Sequence, residues 1–469
     1  MSAFFICCYF RFEKAAKLSL LLASLFFYAY WDIRFLPLLC GSIALNYILG
    51  NLIHSIHENN KRFWVLFGGV SVNLGALFYC KYCNFFIQTT NIAFEWEVQL
   101  IELILPLGIS FFTFTQIAYL VDLYNKKSEP GNFLSYGLFV TVFPHLIAGP
   151  ILHHKEMISQ FNDSKNFRWI PSNFAEGIFL FVLGLSKKLL VADYLIGCVS
   201  CVFDKTDGTL PFIQAWIGAL SYTTQLYFDF SGYSDMAVGL GKMFNLDLPI
   251  NFNSPYQAVS IIDFWRRWHI SLSFFLRNYL YIPLGGNRGG EWRKMRNLVI
   301  TMIIGGIWHG AGWTYILWGF LHGIFLAINH QWAKFKISLP NFFARSLTML
   351  CIIIGWVVFR SPNIQVAKNI LSGMIGLNGF SLPEKYAIKF SWLAQFGVQF
   401  LDLTNAHFPL WDIVFLFIAM CIALFFPNSA FLKEKFYNHP LKSGALTAFL
   451  FISCCLHLSN LTEFLYYQF

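Results

Sequence analysis

The sequence predicts an all-α polytopic membrane protein, and three observations carry that prediction. First, 57% of the 469 residues are apolar and 19% aromatic, while only 12% are charged, against roughly 25% in an average soluble domain. Fifty-four Phe and 15 Trp exceed what a water-soluble chain with 33 basic and 24 acidic residues can bury. Second, the apolar runs are long: residues 17–31, 35–53, 63–80, 174–200, 211–228, 343–359, 411–427 and 443–459. Membrane helices need ~20 mostly apolar residues, whereas barrel strands read as ~10-residue alternating segments. Third, between Pro144 and His322 polar residues intrude into otherwise apolar sequence, as they do where membrane proteins carry function. Disordered chains, nucleic-acid binders and cytosolic enzymes are excluded. We expect about 11 transmembrane helices plus re-entrant or interfacial helices, in one integral-membrane domain spanning 1–469.

From the N-terminus, a mixed stretch (Arg11, Glu13, Lys14, Lys17) precedes the first apolar run. No small-residue cleavage site follows, so no removable signal peptide is expected. The net charge of +9 reads as topology. Its densest basic run, residues 266–296, holds Arg266, Arg267, Arg277, Arg288, Arg293, Lys294 and Arg296 against Glu291 alone. Lys and Arg near span ends mark the cytoplasmic side, so this stretch is placed there. The smaller basic clusters at 11–17 and 432–442 fit the same face. Cys80/Cys83 and Cys198/Cys201 have C-x-x-C spacing, but they lie in or beside apolar runs. They read as small buried hydrophobes.

Four polar stretches carry the chemistry. In Phe143-Pro144-His145-Leu146-Ile147-Ala148-Gly149-Pro150-Ile151, two prolines and a glycine break any helix; broken backbone at membrane depth belongs inside protein or a wet cavity. In Tyr227-Phe228-Asp229-Phe230-Ser231-Gly232-Tyr233-Ser234-Asp235, acids and hydroxyls interrupt an apolar run, which predicts a bent segment lining a cavity. The third stretch is Asp263-Phe264-Trp265-Arg266-Arg267-Trp268-His269-Ile270-Ser271-Leu272-Ser273. If it is one helix, Asp263 pairs with Arg266 or Arg267 at i+3 and i+4, and His269 shares a face with Trp265 and Ser273. It is too polar to span, so a re-entrant or interfacial helix is expected. The Gly-rich 284–290 segment that follows lacks the Lys-Ser/Thr ending of a phosphate-binding loop and reads as a flexible basic connector. The fourth is Gly305-Gly306-Ile307-Trp308-His309-Gly310-Ala311-Gly312-Trp313. Twelve apolar residues, 297–308, rise about 18 Å from the basic loop at 1.5 Å each, which sets His309 at mid-membrane depth. Flanking glycines admit a close neighbour. His309 is the leading catalytic candidate.

These four stretches, with Trp-Val-Val-Phe-Arg-Ser at 356–361, resemble the membrane-bound O-acyltransferase (MBOAT) family. Within it, they are similar to the bacterial branch that acetylates alginate, cellulose and peptidoglycan or transfers D-alanine to teichoic acids. The motif core covers about residues 100–370, in the family's order; residues 1–99 and 371–469 match mainly in hydropathy. The resemblance implies a helical ring around a tunnel, in which an acyl group from a cytoplasmic donor meets an acceptor from the other side. It places the family's catalytic histidine on His309 and its second histidine on His269. His153-His154 departs from relatives, which carry Arg and an aromatic residue there, and reads as an ordinary loop pair.

Acyl transfer from a thioester to a hydroxyl needs a base for the hydroxyl proton, donors for the developing oxyanion and a dry site. His309 is assigned the base. His269, Asn278 or backbone amides at the glycine breaks polarise the carbonyl. Arg266, Arg267, Arg288 and Arg293 meet the phosphates of acetyl-CoA or an acidic carrier protein. Asp263, Trp265, Trp268, Trp308, Asp229, Ser231 and Asp235 complete the candidate substrate-binding set. Neither a metal nor a resident cofactor is expected, and the donor is acetyl-CoA or an acyl-carrier thioester. The resemblance implies the bacterial inner membrane and an SGNH-type extracytoplasmic acetyltransferase partner beside membrane lipids. It makes D-alanyl transfer to teichoic acid the runner-up. A transporter or channel for a small acyl or anionic solute also has broken helices and midplane polar groups; it would more often show paired inverted halves, which are not detected in the sequence.

Overall fold

The computed structural model describes residues 2–147, 149–204, 209–401, 408–460, 462, 464 and 465. Ala148 of the first polar stretch and residues 402–407 lie outside them. The principal helices are α1 (Glu13–Trp31), α2 (Leu36–Ser55), α3 (Asn59–Leu77, running on to Phe94), α4 (Ile109–Tyr124), α5 (Phe133–Thr141), α6 (Pro171–Ser186) and α7 (Phe212–Met243). They continue with α8 (Ile261–Arg267), α9 (Ile270–Leu276), α10 (Glu291–His309), α11 (Trp313–Trp332), α12 (Asn341–Arg360), α13 (Leu410–Phe425) and α14 (Pro440–Leu456). The strands β1 (Phe380–Pro383) and β2 (Val398–Leu401) pair in parallel, Phe380 against Val398. Ile33–Ser55, Asn59–Phe94 and Asn341–Arg360 have the length and apolarity to cross a membrane; Leu410–Phe425 and Ser429–Phe436 form a pair bent by 66°. The chain is an all-α membrane protein.

Two compact units divide the chain. The first holds residues 1–182, 233–251 and 271–280. Its helices are joined by buried polar groups, the glue of helix pairs that no hydrophobic effect drives together. Asn46 and Asn73 exchange amide hydrogen bonds between α2 and α3 at 2.7 and 3.2 Å. Gln116 of α4 donates to Ser42 (3.0 Å) and accepts from Tyr136 (3.3 Å). Buried Arg62 donates to the carbonyls of Ile53 (3.1 Å) and Tyr124 (2.7 Å), satisfying groups left open at the ends of α2 and α4.

The second unit holds residues 183–232, 252–270 and 281–469. Its centre is the hairpin of α10 and α11, which pack backbone to backbone. A Cβ on Gly306 would collide with the Tyr315 carbonyl, one on Gly319 with the Met302 carbonyl, and one on Gly323 would stand 2.7 Å from Val299 Cα. Gly319 and Gly323 have the small-xxx-small spacing of close membrane helices.

The expected bend at 227–235 is not there. α7 is one unbroken helix of 32 residues. Its acid does not break it, because Lys188 answers Asp229 at 2.8 Å and Asp193 at 2.7 Å, all three side chains buried. Gly232 lets the backbone at Gly184 approach, where a Cβ would sit 2.7 Å from the carbonyl oxygen. The expected single helix over 263–273 is also broken, into α8 and α9.

If the glycine seam sets the fold, Gly319→Leu should lower the thermal midpoint of the detergent-purified protein. Overpacking of this kind costs about 1–3 kcal/mol. Gly41→Leu, where a Cβ meets nothing within 4 Å, should leave it unchanged. Equal melting of the two variants, followed by size-exclusion fluorescence, would contradict the packing described.

Candidate active site

His309 is the last residue of α10. Gly310 follows in extended backbone (φ −161°, ψ 157°), and a Cβ there would strike the Tyr315 ring, so the chain turns straight into α11. The His309 ring is buried, 8% exposed. It meets the rings of Trp308 at 4.9 Å, Trp318 of α11 edge-on at 5.1 Å, and Phe359 of α12 at 5.2 Å, among others. These rings leave the imidazole little contact with solvent.

His269 sits in the break between α8 and α9. Its φ is +42°, a left-handed conformation that costs a residue with a Cβ about 1–2 kcal/mol. The helix therefore does not run through it, and Trp265, His269 and Ser273 do not share a helical face. Among the described residues neither ring nitrogen of His269 has a hydrogen-bond partner, though the residue is only 1% exposed. Its ring touches Phe230 at 4.8 Å and Trp308 at 6.3 Å. Trp308 thus stands in ring contact with both histidines.

The remaining candidates divide. Arg267 pairs with Asp263 at 2.8 Å, the i+4 pair expected, while Arg266 is exposed. Trp265 and Trp268 turn into the aromatic core, at 5.8 Å from Trp318 and 4.9 Å from Trp356 respectively. Arg288 and Arg293 are exposed around the basic connector. Ser231 is buried, and Asp229 is held by Lys188 and by the Leu465 backbone N–H at 3.2 Å. Asp235 and Asn278 belong to the first unit. In that unit His153 lies 4.4 Å from Phe274, and buried His154 lies 4.7 Å from Tyr119.

Sequence reasoning missed Trp318, Phe359, His322 and Lys188. His322 is fully buried, 4.9 Å from Trp318 and 5.3 Å from Trp265. The signal for Lys188 was present: a lysine within the apolar run 174–200 is costly unless partnered. Phe359 lies in the 356–361 motif but was assigned no role there, and nothing in the sequence separates Trp318 from the other aromatics.

The class these features define is a helical integral membrane protein with a dry, aromatic-walled histidine centre. The family model for MBOAT, the membrane-bound O-acyltransferase family, matches residues 124–376, and this chain belongs to that family. It is an O-acyltransferase. Among its relatives, a peptidoglycan O-acetyltransferase of Helicobacter pylori is 44% identical over 94% of this chain and 88% of its own. A probable alginate O-acetylase AlgI of Pseudomonas aeruginosa is 40% identical over 92% of this chain and 79% of its own. A teichoic acid D-alanyltransferase of Streptococcus thermophilus is 30% identical over 49% of this chain and 58% of its own.

The strain at His269 has a measurable consequence. His269→Gly and His269→Ala remove the same ring, but only glycine is at ease at φ +42°. The Gly variant should be more stable by about 1 kcal/mol, read as a higher thermal midpoint. A Gly variant melting below the Ala variant would contradict the left-handed assignment.

Proposed function

We propose that the protein moves acetyl groups from cytoplasmic acetyl-CoA toward hydroxyls of an extracytoplasmic polysaccharide, with His309 as general base. The observation that carries this reading is the buried His309–Trp308–His269 arrangement on the family's motifs. The 94% coverage by a peptidoglycan O-acetyltransferase supports acetyl over D-alanyl transfer, since the teichoic acid relative covers only half the chain.

In the reaction, the acceptor oxygen attacks the thioester carbonyl and its proton passes to a His309 ring nitrogen. The carbonyl oxygen gains charge, and His269, with both nitrogens open among the described residues, is placed to polarise it as a neutral N–H donor. The carbon–sulfur bond breaks, and the departing thiolate takes the proton from His309. Arg266, Arg288 and Arg293, all exposed, meet the donor's phosphates at the basic face. Arg267 has a different task, because Asp263 holds it. The positive-inside rule puts that face in the cytoplasm of a bacterial inner membrane, with about eleven spans ringing a tunnel.

A bulky polymer does not enter such a centre, and the weakly apolar stretches at 153–172 and 378–410 are too short for a polysaccharide-binding domain. The acceptor oxygen that attacks at His309 is therefore a hydroxyl of a small acceptor or of a separate extracytoplasmic acetyltransferase docked at the outer mouth, which passes the acetyl ester on to the polymer.

Cells fed labelled acetate provide the test, with acetyl esters counted on isolated wall and exopolysaccharide. His309→Ala should reduce the label at least about 100-fold, the usual worth of a general base, while protein accumulation stays normal. His269→Ala should reduce it less. Full label with a well-expressed His309→Ala variant would overturn the assignment. Label found as D-alanine ester would redirect the substrate.

A further inference from the structure

Away from the histidines, the second unit holds an apolar cavity of about 430 Å³, within the size range of small-molecule sites. It opens where α11 ends and α12 begins. Phe325, Ile328 and Trp332 of α11, Ile261 of α8, and Ala344 and Leu347 of α12 form most of its wall. Four of the polar residues that line it are hydrogen-bonded within the chain, while Asn341, also on the wall, is exposed at the start of α12. Asn329 accepts from the Ile262 N–H at 3.2 Å, and Ser260 accepts from the Asp263 N–H at 3.1 Å. Thr348 donates to the Ala344 carbonyl at 2.8 Å, and the Trp332 indole donates to the Ile337 carbonyl at 3.1 Å. The wall therefore presents hydrocarbon. A coenzyme A arm, whose amides would lose their hydrogen bonds there, suits it poorly; an acyl chain suits it well.

The mouth has the opposite character. His330, next to the lining Asn329, has Arg266, Lys294 and Glu291 as its electrostatic neighbours. Lys334 spans back to Glu291 at 2.9 Å. Lys336, beside the lining Ile337, and Arg345, beside the lining Ala344, are both exposed. Neither ion-pairs with an acid among the described residues. Two acids stand near the cavity and both are answered: Glu291 by Lys334, and Asp263, which accepts from the lining Val259 N–H at 3.3 Å, by Arg267; Lys336 and Arg345 remain for a ligand. Basic pockets between membrane helices on the cytoplasmic side suit anionic headgroups, and exposed Trp332 and Phe335 mark interface depth.

We propose that this cavity is a binding site for one anionic phospholipid, an acyl chain filling the α11–α12 cavity and the headgroup phosphate held by Lys336 and Arg345. The cavity is lined by neither His309 nor His269, and Lys336 and Arg345, which hold the headgroup, have no part in the acyl-transfer reading. An apolar wall alone would accept any lipid; the cationic rim selects the charge.

The test is native mass spectrometry of the full chain, delipidated in detergent and titrated with dioleoylphosphatidylglycerol or dioleoylphosphatidylcholine. Wild type should retain one phosphatidylglycerol with at least about tenfold preference, the order expected for two favourable charge contacts. The double variant Lys336→Gln/Arg345→Gln should lose the preference, and Leu347→Trp, which fills the cavity, should lose the bound lipid. A second measurement reads binding to the wild-type cavity directly: dibrominated phosphatidylglycerol in vesicles should quench a fluorescence component assigned to Trp332 by its absence from Trp332→Phe, and dibrominated phosphatidylcholine should quench it less. Equal retention and equal quenching by the two lipids would overturn the proposal. So would stoichiometric displacement of the lipid by acetyl-CoA, which would assign the cavity to the donor.

Discussion

The close approach of α10 to α11 is the constraint on which the rest of the second unit depends. Helices in a bilayer gain no hydrophobic driving force from meeting one another, so contact must come from packing at short range. Gly306, Gly319 and Gly323 supply it by leaving room for backbone atoms where any side chain would collide. The seam ends at Trp308 and His309, and its geometry presents the His309 ring to Trp318. Gly355 continues the principle on α12: a Cβ there would lie 2.6 Å from the His322 ring nitrogen. The result is a layer of rings, Trp318 between His309 and His322, with Trp265 and Trp356 packed around it. Widening the seam would loosen the ring packing around His309.

A second constraint is the burial of charge. Lys188, Asp193 and Asp229 are each almost inaccessible, and a buried ion left without its partner costs about 3–5 kcal/mol. Thr462 adds a hydroxyl to Asp193 at 2.7 Å, and the Leu465 N–H caps Asp229. This network fixes the turn of α7 that presents Phe230 to His269. His269 itself is held in a left-handed conformation, a local cost of the kind that accumulates at functional sites.

Much of this architecture is legible in the sequence. The apolar runs at 35–53, 343–359 and 411–427 fall on α2, α12 and α13, and the i+4 spacing of Asp263 and Arg267 became an ion pair. The run from the basic connector to His309 became α10. What was not legible depended on distant partners. Asp229 reads as a helix breaker until Lys188 is known to face it. The break at Trp268–His269 lies in a stretch with neither Gly nor Pro, so no local signal marks the left-handed turn. Trp318 is indistinguishable from dozens of other aromatic residues, and Phe359 stands out only by its place in the 356–361 motif, until the packing brings both rings to His309. Asp235 and Asn278, read as part of one site with Asp229 and His269, belong to the first unit, because the chain leaves and re-enters each unit several times.

On the proposed function, the acetyl group crosses the membrane while its carrier does not. Purified protein reconstituted in liposomes, oriented with the 285–296 connector inward, tests it directly. Acetyl-CoA carrying separate labels on the acetyl group and the adenine is sealed inside, and an extracytoplasmic acetyltransferase with polysaccharide is added outside. The account predicts acetyl label on the outer polymer with the adenine label retained in the lumen. Adenine label appearing outside together with the acetyl group, or acetylation only of acceptors sealed inside, would contradict it.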